Sequence, residues 1–226
     1  YYFLGIGGIG MSAVARYFKA KGFAVAGYDR TPTKLTDDME TDDIQVIFDE
    51  DVDAIPRDFL DARKTLIVMT PAVPHEHKQW AYFRENDFKI LKRSEVLGEI
   101  TKKGKAICIA GTHGKTTTST MTAHLMHQSH VDCSAFLGGI STNYGTNLVL
   151  SIQSNYVVVE ADEYDRSFHR LTPFMAVITS MDPDHLDIYG TTEAFVESFE
   201  HFTSLIKPGG ALIVTRYRSI LGCKKE

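Results

Sequence analysis

No run of apolar residues in this 226-residue sequence approaches membrane-spanning length, and no signal-peptide pattern opens it. Nor is there an excess of positive charge. With 24 Lys and Arg against 29 Asp and Glu, the formal net charge is −5, which argues against nonspecific nucleic-acid binding. Cysteine is scarce: Cys108, Cys133 and Cys223 are widely spaced and odd in number. That excludes a disulfide framework or a zinc site and suits reduced thiols in the cytoplasm. What is present is 43% apolar residues and a spread of charges, the composition of a globular protein with room for one large or two ordinary domains. Residue 1 is not Met and residues 1–4 already read as strand, so the start of the protein is expected upstream.

The opening strand runs into Gly5, Gly7 and Gly10 at the Gly-x-Gly-x-x-Gly spacing, with Gly8 and Met11 in the same run. A helix over 12–21, a strand over 23–28 and Asp29 at its end complete a dinucleotide-binding pattern. In that pattern a diphosphate sits at the helix start and the acid meets a ribose hydroxyl. The acidic stretch 31–55 reads as a solvated edge of loops with a short helix. Residues 65–70 read as a buried strand ending at Thr70, 88–91 as a further strand and 93–101 as a helix. His75 and His77 read as structural. Lys102, Lys103 and Gly104 are polar and flexible enough to form a domain boundary.

A second phosphate-binding pattern follows at once. Residues 107–110 form a short apolar strand, then come Gly111, Thr112, His113, Gly114, Lys115, Thr116 and Thr117, then a helical pattern with Met121, Leu125 and Met126 on one side. Loop amides and a helix start make a cradle for phosphate, Lys115 neutralises terminal phosphates, and the Thr116 hydroxyl suits Mg²⁺. Only two residues separate Gly111 from Gly114, where the general phosphate loop has four, which disfavours motors and GTPases.

Further on, residues 138–145 read as a polar glycine loop carrying Asn143. Residues 156–159 read as a buried parallel strand with Glu160 at its carboxyl end, the edge where open α/β sheets bind ligands. Asp162, Glu163 and Asp165 crowd charge that a cation would relieve. A strand over 174–179 leads to His185, again just past a strand end. A helix over 191–206 and a strand over 211–215 continue the alternation. His124, His127 and His130 lack a second ligand set and read as core or surface residues.

The short loop Gly-Thr-His-Gly-Lys-Thr, then Glu-Ala-Asp-Glu, then Asp-His-Leu-Asp, together with the opening glycines, resembles the Mur ligases over nearly residues 1–210. These enzymes add amino acids to the cell-wall precursor, and the match is nearest to the alanine-adding member. The resemblance implies an α/β fold: a Rossmann-like, parallel-sheet UDP-binding domain over 1–102, then an incomplete P-loop ATPase-type α/β domain over 103–226. A third domain that binds the amino acid would be absent, so the fragment alone is expected to be inactive. It implies ATP and Mg²⁺, with UDP-N-acetylmuramate and L-alanine as substrates, in the cytoplasm and in peptidoglycan synthesis, joined through an acyl phosphate. Gly111 to Thr117 would bind ATP. Thr116, Glu160 and His185 would hold metal, and Lys115, Glu160 and His185 would be catalytic. Gly5, Gly7, Gly8, Gly10, Met11, Asp29, Thr70 and Asn143 would bind the UDP-sugar. Thr70-Pro71-Ala72 departs from the family's serine turn: it keeps a hydroxyl but loses the amide donor of residue 71. Tyr164 stands where serine is commoner, a feature of a relative that adds a recycled tripeptide, whereas residues 167–173 follow the alanine-adding member. An NAD(P)-binding oxidoreductase and a non-catalytic nucleotide-binding regulator are the alternatives from other classes.

Overall fold

A computed structural model describes residues 1–215, without the side chain of Leu186. Cys223 and the tail from Arg216 onward lie outside the described residues. The chain divides into two units, Tyr1–Val96 with Gly145–Leu148, and Leu97–Tyr144 with the chain from Val149 on.

The first unit is built on a five-stranded sheet. In chain order its elements are β1 (Tyr2–Leu4), α1 (Ile9–Ala20), β2 (Ala26–Tyr28), α2 (Lys34–Thr41), β3 (Gln45–Ile47), β4 (Leu66–Met69), α3 (Lys78–Glu85) and β5 (Lys89–Lys92). The strand order is β3-β2-β1-β4-β5 with every pair parallel, so β1 is central and the chain reverses direction across the sheet beside it. A central parallel strand is covered on both faces, which is why Tyr2, Phe3 and Leu4 are apolar in succession and wholly buried. The one polar atom this places inside is satisfied, since the Tyr2 hydroxyl donates to Gln79 Oε1 at 2.9 Å. Helix α4 (Arg93–Lys103) spans the division between the units.

The rest of the chain supplies β6 (Lys105–Ala110), α5 (Lys115–His127), β7 (Ser134–Ser141), β8 (Thr146–Val149), β9 (Tyr156–Glu160), β10 (Met175–Ile178), α6 (Leu186–Tyr189), α7 (Thr192–Ser204) and β11 (Ala211–Val214), whose strands form a six-stranded sheet. Its strand order is β11-β10-β6-β9-β7-β8. β6 runs parallel to both β10 and β9, so the loop after β6 emerges between their carboxyl ends. On α7, Phe195, Phe199 and Phe202 are wholly buried, and the last two pack on Phe168. The helix starts cleanly because Thr191 accepts from the Ala194 amide at 3.2 Å.

The fold class is α/β, and it differs in detail from what the residues alone suggest. The second sheet is mixed, not wholly parallel: the turn 142–145 between β7 and β8 is too short for a parallel crossover. Gly138 and Gly139 lie within β7, not in a glycine loop. β3 and α3 are illegible in the sequence, the first inside an acidic stretch and the second in a run of mixed polarity. On α5, Met121 and Leu125 are exposed, and the helix is buried through Ser119 and Ala123 instead. Cys108 and Cys133 are buried free thiols, and burial pushes the Cys133 thiol up to about 12. Among the described residues no helix is long and apolar enough to cross a membrane.

Candidate functional site

The loop Gly111–Gly114 joins β6 to α5 and is pinned to the segment that follows β10. Ser180 Oγ accepts from the His113 amide at 2.8 Å, the Thr112 amide donates to Ser180 O at 3.2 Å, and the Thr112 hydroxyl donates to Asp182 O at 2.7 Å. Gly111 is required here. Its φ of 132° lies where side chains are strained, and a Cβ would press on the Thr179 hydroxyl and the Ser180 backbone. Helix α5 begins with no side-chain cap and no acid in its first turn. Its first amides are therefore open to an anion, and the helix dipole favours one.

Four side chains converge beside this loop. The Thr116 hydroxyl donates to Glu160 Oε1 at 3.0 Å. Glu160 reaches that position from the end of β9, whose register sets it beside Ile109 of β6. Its other oxygen, Oε2, is buried and has no hydrogen-bond partner among the described residues. The carboxylate lies against Gly138 of β7, where any Cβ would collide with it. Lys115 Nζ donates to Gly111 O at 2.7 Å and to Glu163 Oε1 at 2.9 Å, with Glu163 Oε2 at 2.8 Å. That second oxygen satisfies the ion pair but lies off the hydrogen-bond direction. The cation that relieves the acidic cluster at Glu163 is thus the protein's own lysine.

His185 is on the same sheet edge, seven residues past the end of β10. Its imidazole lies 3.8 Å from Asp184 and meets the Tyr164 ring edge-on at 5.2 Å between centroids. Its backbone is left-handed at φ 54°, a strained state for a side-chain-bearing residue. Among the described residues no three His, Cys, Asp or Glu form a ready metal cluster. His124 and His127 have structural partners, Tyr144 at 2.9 Å and Asp132 at 2.7 Å.

The first unit holds a cavity of about 680 Å³ at the carboxyl edge of β1. Gly5, Gly7, Gly8, Gly10, Met11, Asp29 and Thr70 all line it. Asp29 braces the glycine loop: its Oδ2 accepts from the Gly7 amide at 2.7 Å and its Oδ1 from the Thr31 amide at 3.2 Å. Helix α1 opens into the cavity with no side-chain cap and no acid in its first turn. Tyr28, Glu50, His77 and Arg93 line it too, and no spacing in the sequence marks them. His77 is 5% exposed and caps α3, its Nδ1 accepting from the Trp80 amide, and burial pushes its pKa down. Asn143 belongs to the second unit, in the turn after β7, with its amide 3.4 Å from His124 Nδ1.

Two family models cover this chain: the Mur ligase family, catalytic domain, over residues 1–105, and the Mur ligase middle domain over 109–221. The chain belongs to the Mur ligase family. It is 63% identical to the UDP-N-acetylmuramate–L-alanine ligase of Porphyromonas gingivalis over 213 residues, 94% of this chain and 47% of that relative. It is also 63% identical to the ligase of the same name from Phocaeicola vulgatus over 215 residues, 95% of this chain and 47% of that one. The chain thus spans about half the length of the curated relatives it matches. Among solved structures, a UDP-N-acetylmuramate–alanine ligase from Thermotoga maritima superposes with TM-score 0.82 at 27% identity, covering 94% of this chain and 48% of that one. The UDP-N-acetylmuramate:L-alanyl-gamma-D-glutamyl-meso-diaminopimelate ligase of Neisseria meningitides gives TM-score 0.85 at 23% identity, covering 97% of this chain and 72% of that one. At that identity the likeness speaks for the fold alone.

Proposed function

We propose that the protein to which this chain belongs joins L-alanine to the lactyl carboxylate of UDP-N-acetylmuramate, cleaving ATP to ADP and phosphate, in the cytoplasm. The reading rests on the convergence of Lys115, Thr116 and Glu160 at one rim of a sheet. That convergence occurs in a chain 63% identical to ligases of that name.

The chemistry begins with a difficulty that these residues address. A substrate carboxylate must approach the γ-phosphate of ATP, and two like charges 4 Å apart repel by about 4 kcal/mol at an effective dielectric near 20. The open amides of the Gly111–Gly114 loop and of the first turn of α5 would receive the phosphates. Lys115 would set its charge against the terminal one, stabilising the phosphoryl group as it transfers. Gly111, Thr112, His113, Gly114 and Thr117 make up the rest of the ATP cradle. An amine then displaces phosphate from the acyl phosphate to form the amide.

Mg²⁺ fits the oxygen donors here. Glu160 Oε2 is a buried carboxylate oxygen with no protein partner among the described residues, beside the Thr116 hydroxyl. Thr116 and Glu160 would hold one ion, and Glu160 with His185 a second. An ion held by these residues would supply positive charge to screen the anionic reactants. In the first unit, the glycine loop, Met11, Thr70 and the α1 start would receive the UDP diphosphate, with Asp29 near the ribose.

The test is the full-length protein supplied with UDP-N-acetylmuramate, MgATP and either L-alanine or a cell-wall tripeptide. Alanine-dependent ADP release, with an amide product of the expected mass, supports the reading. Release that requires the tripeptide, or NADH binding without any ATP turnover, overturns it.

A further inference from the structure

Lys115 does not project freely from its loop. It folds back onto Gly111 O, and both carboxylate oxygens of Glu163 lie within 2.9 Å of its ammonium. Glu163 is 1% exposed, and a carboxylate so deep stays charged only beside a partner. Its backbone is fixed independently of the lysine: Glu163 O accepts from the Tyr189 hydroxyl at 2.6 Å and from the Arg166 amide at 3.0 Å. The turn that follows is left-handed at two successive residues, Asp165 at φ 51° and Arg166 at φ 53°. Such a turn persists only where its contacts impose it, and the Arg166 guanidinium over the Tyr189 ring at 5.2 Å is one of them. Glu163 is therefore a carboxylate built into place, not a mobile surface acid.

A phosphate-loop lysine serves a nucleotide by lending its charge to the terminal phosphates. Here a buried carboxylate already takes that charge, and carboxylate and phosphate compete for the same N–H donors. We propose that Glu163 is a positioning residue that holds Lys115 back along its own loop, and that the terminal phosphates of a bound nucleotide displace the Glu163 carboxylate from it. The proposal rests on the ATP-dependent reading above, and it makes the resting enzyme bind nucleotide more weakly than its loop alone would allow.

The consequence has a sign that structural damage does not share, because damage weakens binding. In the full-length protein, Glu163→Gln keeps the side-chain shape and removes the competing charge. Calorimetric titration is expected to show MgATP bound on the order of tenfold more tightly, with AMP, which lacks the terminal phosphates, unchanged within about twofold. In a Lys115→Met background the same Glu163→Gln change is expected to leave MgATP affinity unaltered. Should Glu163→Gln fail to fold, Tyr189→Phe, which frees the Glu163 carbonyl, carries the test: tighter MgATP binding supports the proposal and unchanged binding overturns it. Weaker or equal MgATP binding by Glu163→Gln, or a gain that survives without Lys115, also overturns it. A wild-type protein that binds no adenine nucleotide would instead remove the ATP-dependent reading, and this proposal with it.

Discussion

The Thr116 hydroxyl and the Glu160 carboxylate meet at 3.0 Å although 44 residues separate them in the chain. Parallel pairing of β6 with β9 brings the two strand ends level, and the loop then carries Thr116 onto the start of α5. A hydroxyl and a carboxylate at one point offer the oxygen donors that a hard cation takes. Glu160→Gln in the full-length protein is expected to lower ATP turnover by at least about a hundredfold, as loss of a preorganised electrostatic contact does. UDP-sugar affinity, measured by titration, should be unchanged.

Gly138 predicts a second effect at the same carboxylate. With a Cβ at this position colliding with Glu160, Gly138→Ala must turn the acid away or spread β7 from β9. Overpacking of this kind costs about 1–3 kcal/mol. The variant is expected to melt at a lower temperature and to lose most ATP turnover, which thermal unfolding and an ADP-release assay would register separately.

Asp29 carries the corresponding prediction for the first unit. By accepting from the Gly7 amide it holds the glycine loop in shape for a ligand. Asp29→Ala is expected to weaken UDP-sugar binding by about 1–3 kcal/mol, roughly five- to 150-fold. Nucleotide binding at Lys115 should be untouched, and titrations with each ligand would show both.

His77 gives a pH dependence. Burial lowers its pKa from the ordinary 6.5, so the folded protein holds it neutral where the unfolded chain takes up a proton. The unfolded state then binds more protons, so stability rises with pH in that range and is lost as pH falls. The loss begins as pH drops below about 6.5 and levels off below the lowered folded value. His77→Asn keeps a side chain able to cap α3 and cannot titrate. Its melting temperature is expected to vary less than that of the wild type between about pH 7 and pH 5.

Much of this arrangement is legible in the residues. Apolar runs such as 107–110 and 156–159 mark buried parallel strands, and glycines at fixed offsets mark the turns that follow them. Lys115, Thr116 and Glu160 can therefore be assigned to one sheet edge from the sequence. The partner of Lys115 cannot. Glu163 stands in a run of four acids within 160–165, and nothing in their spacing marks which of them meets the lysine. Gly138 misleads for a related reason, since a glycine pair resembles a loop until the neighbouring strand's carboxylate is seen to occupy the space of its side chain. The residues completing the first cavity, Tyr28, Glu50, His77 and Arg93, come from separate segments with no shared spacing. β3 leaves no clear pattern because only two of its three residues are buried.

The account depends most on Lys115 serving the phosphates of ATP. Turnover of the full-length Lys115→Ala protein, measured as ADP release with UDP-N-acetylmuramate and L-alanine present, tests that most directly. A fall of at least about a hundredfold, with UDP-sugar affinity retained, is the expected result. Turnover near that of the wild type would contradict it.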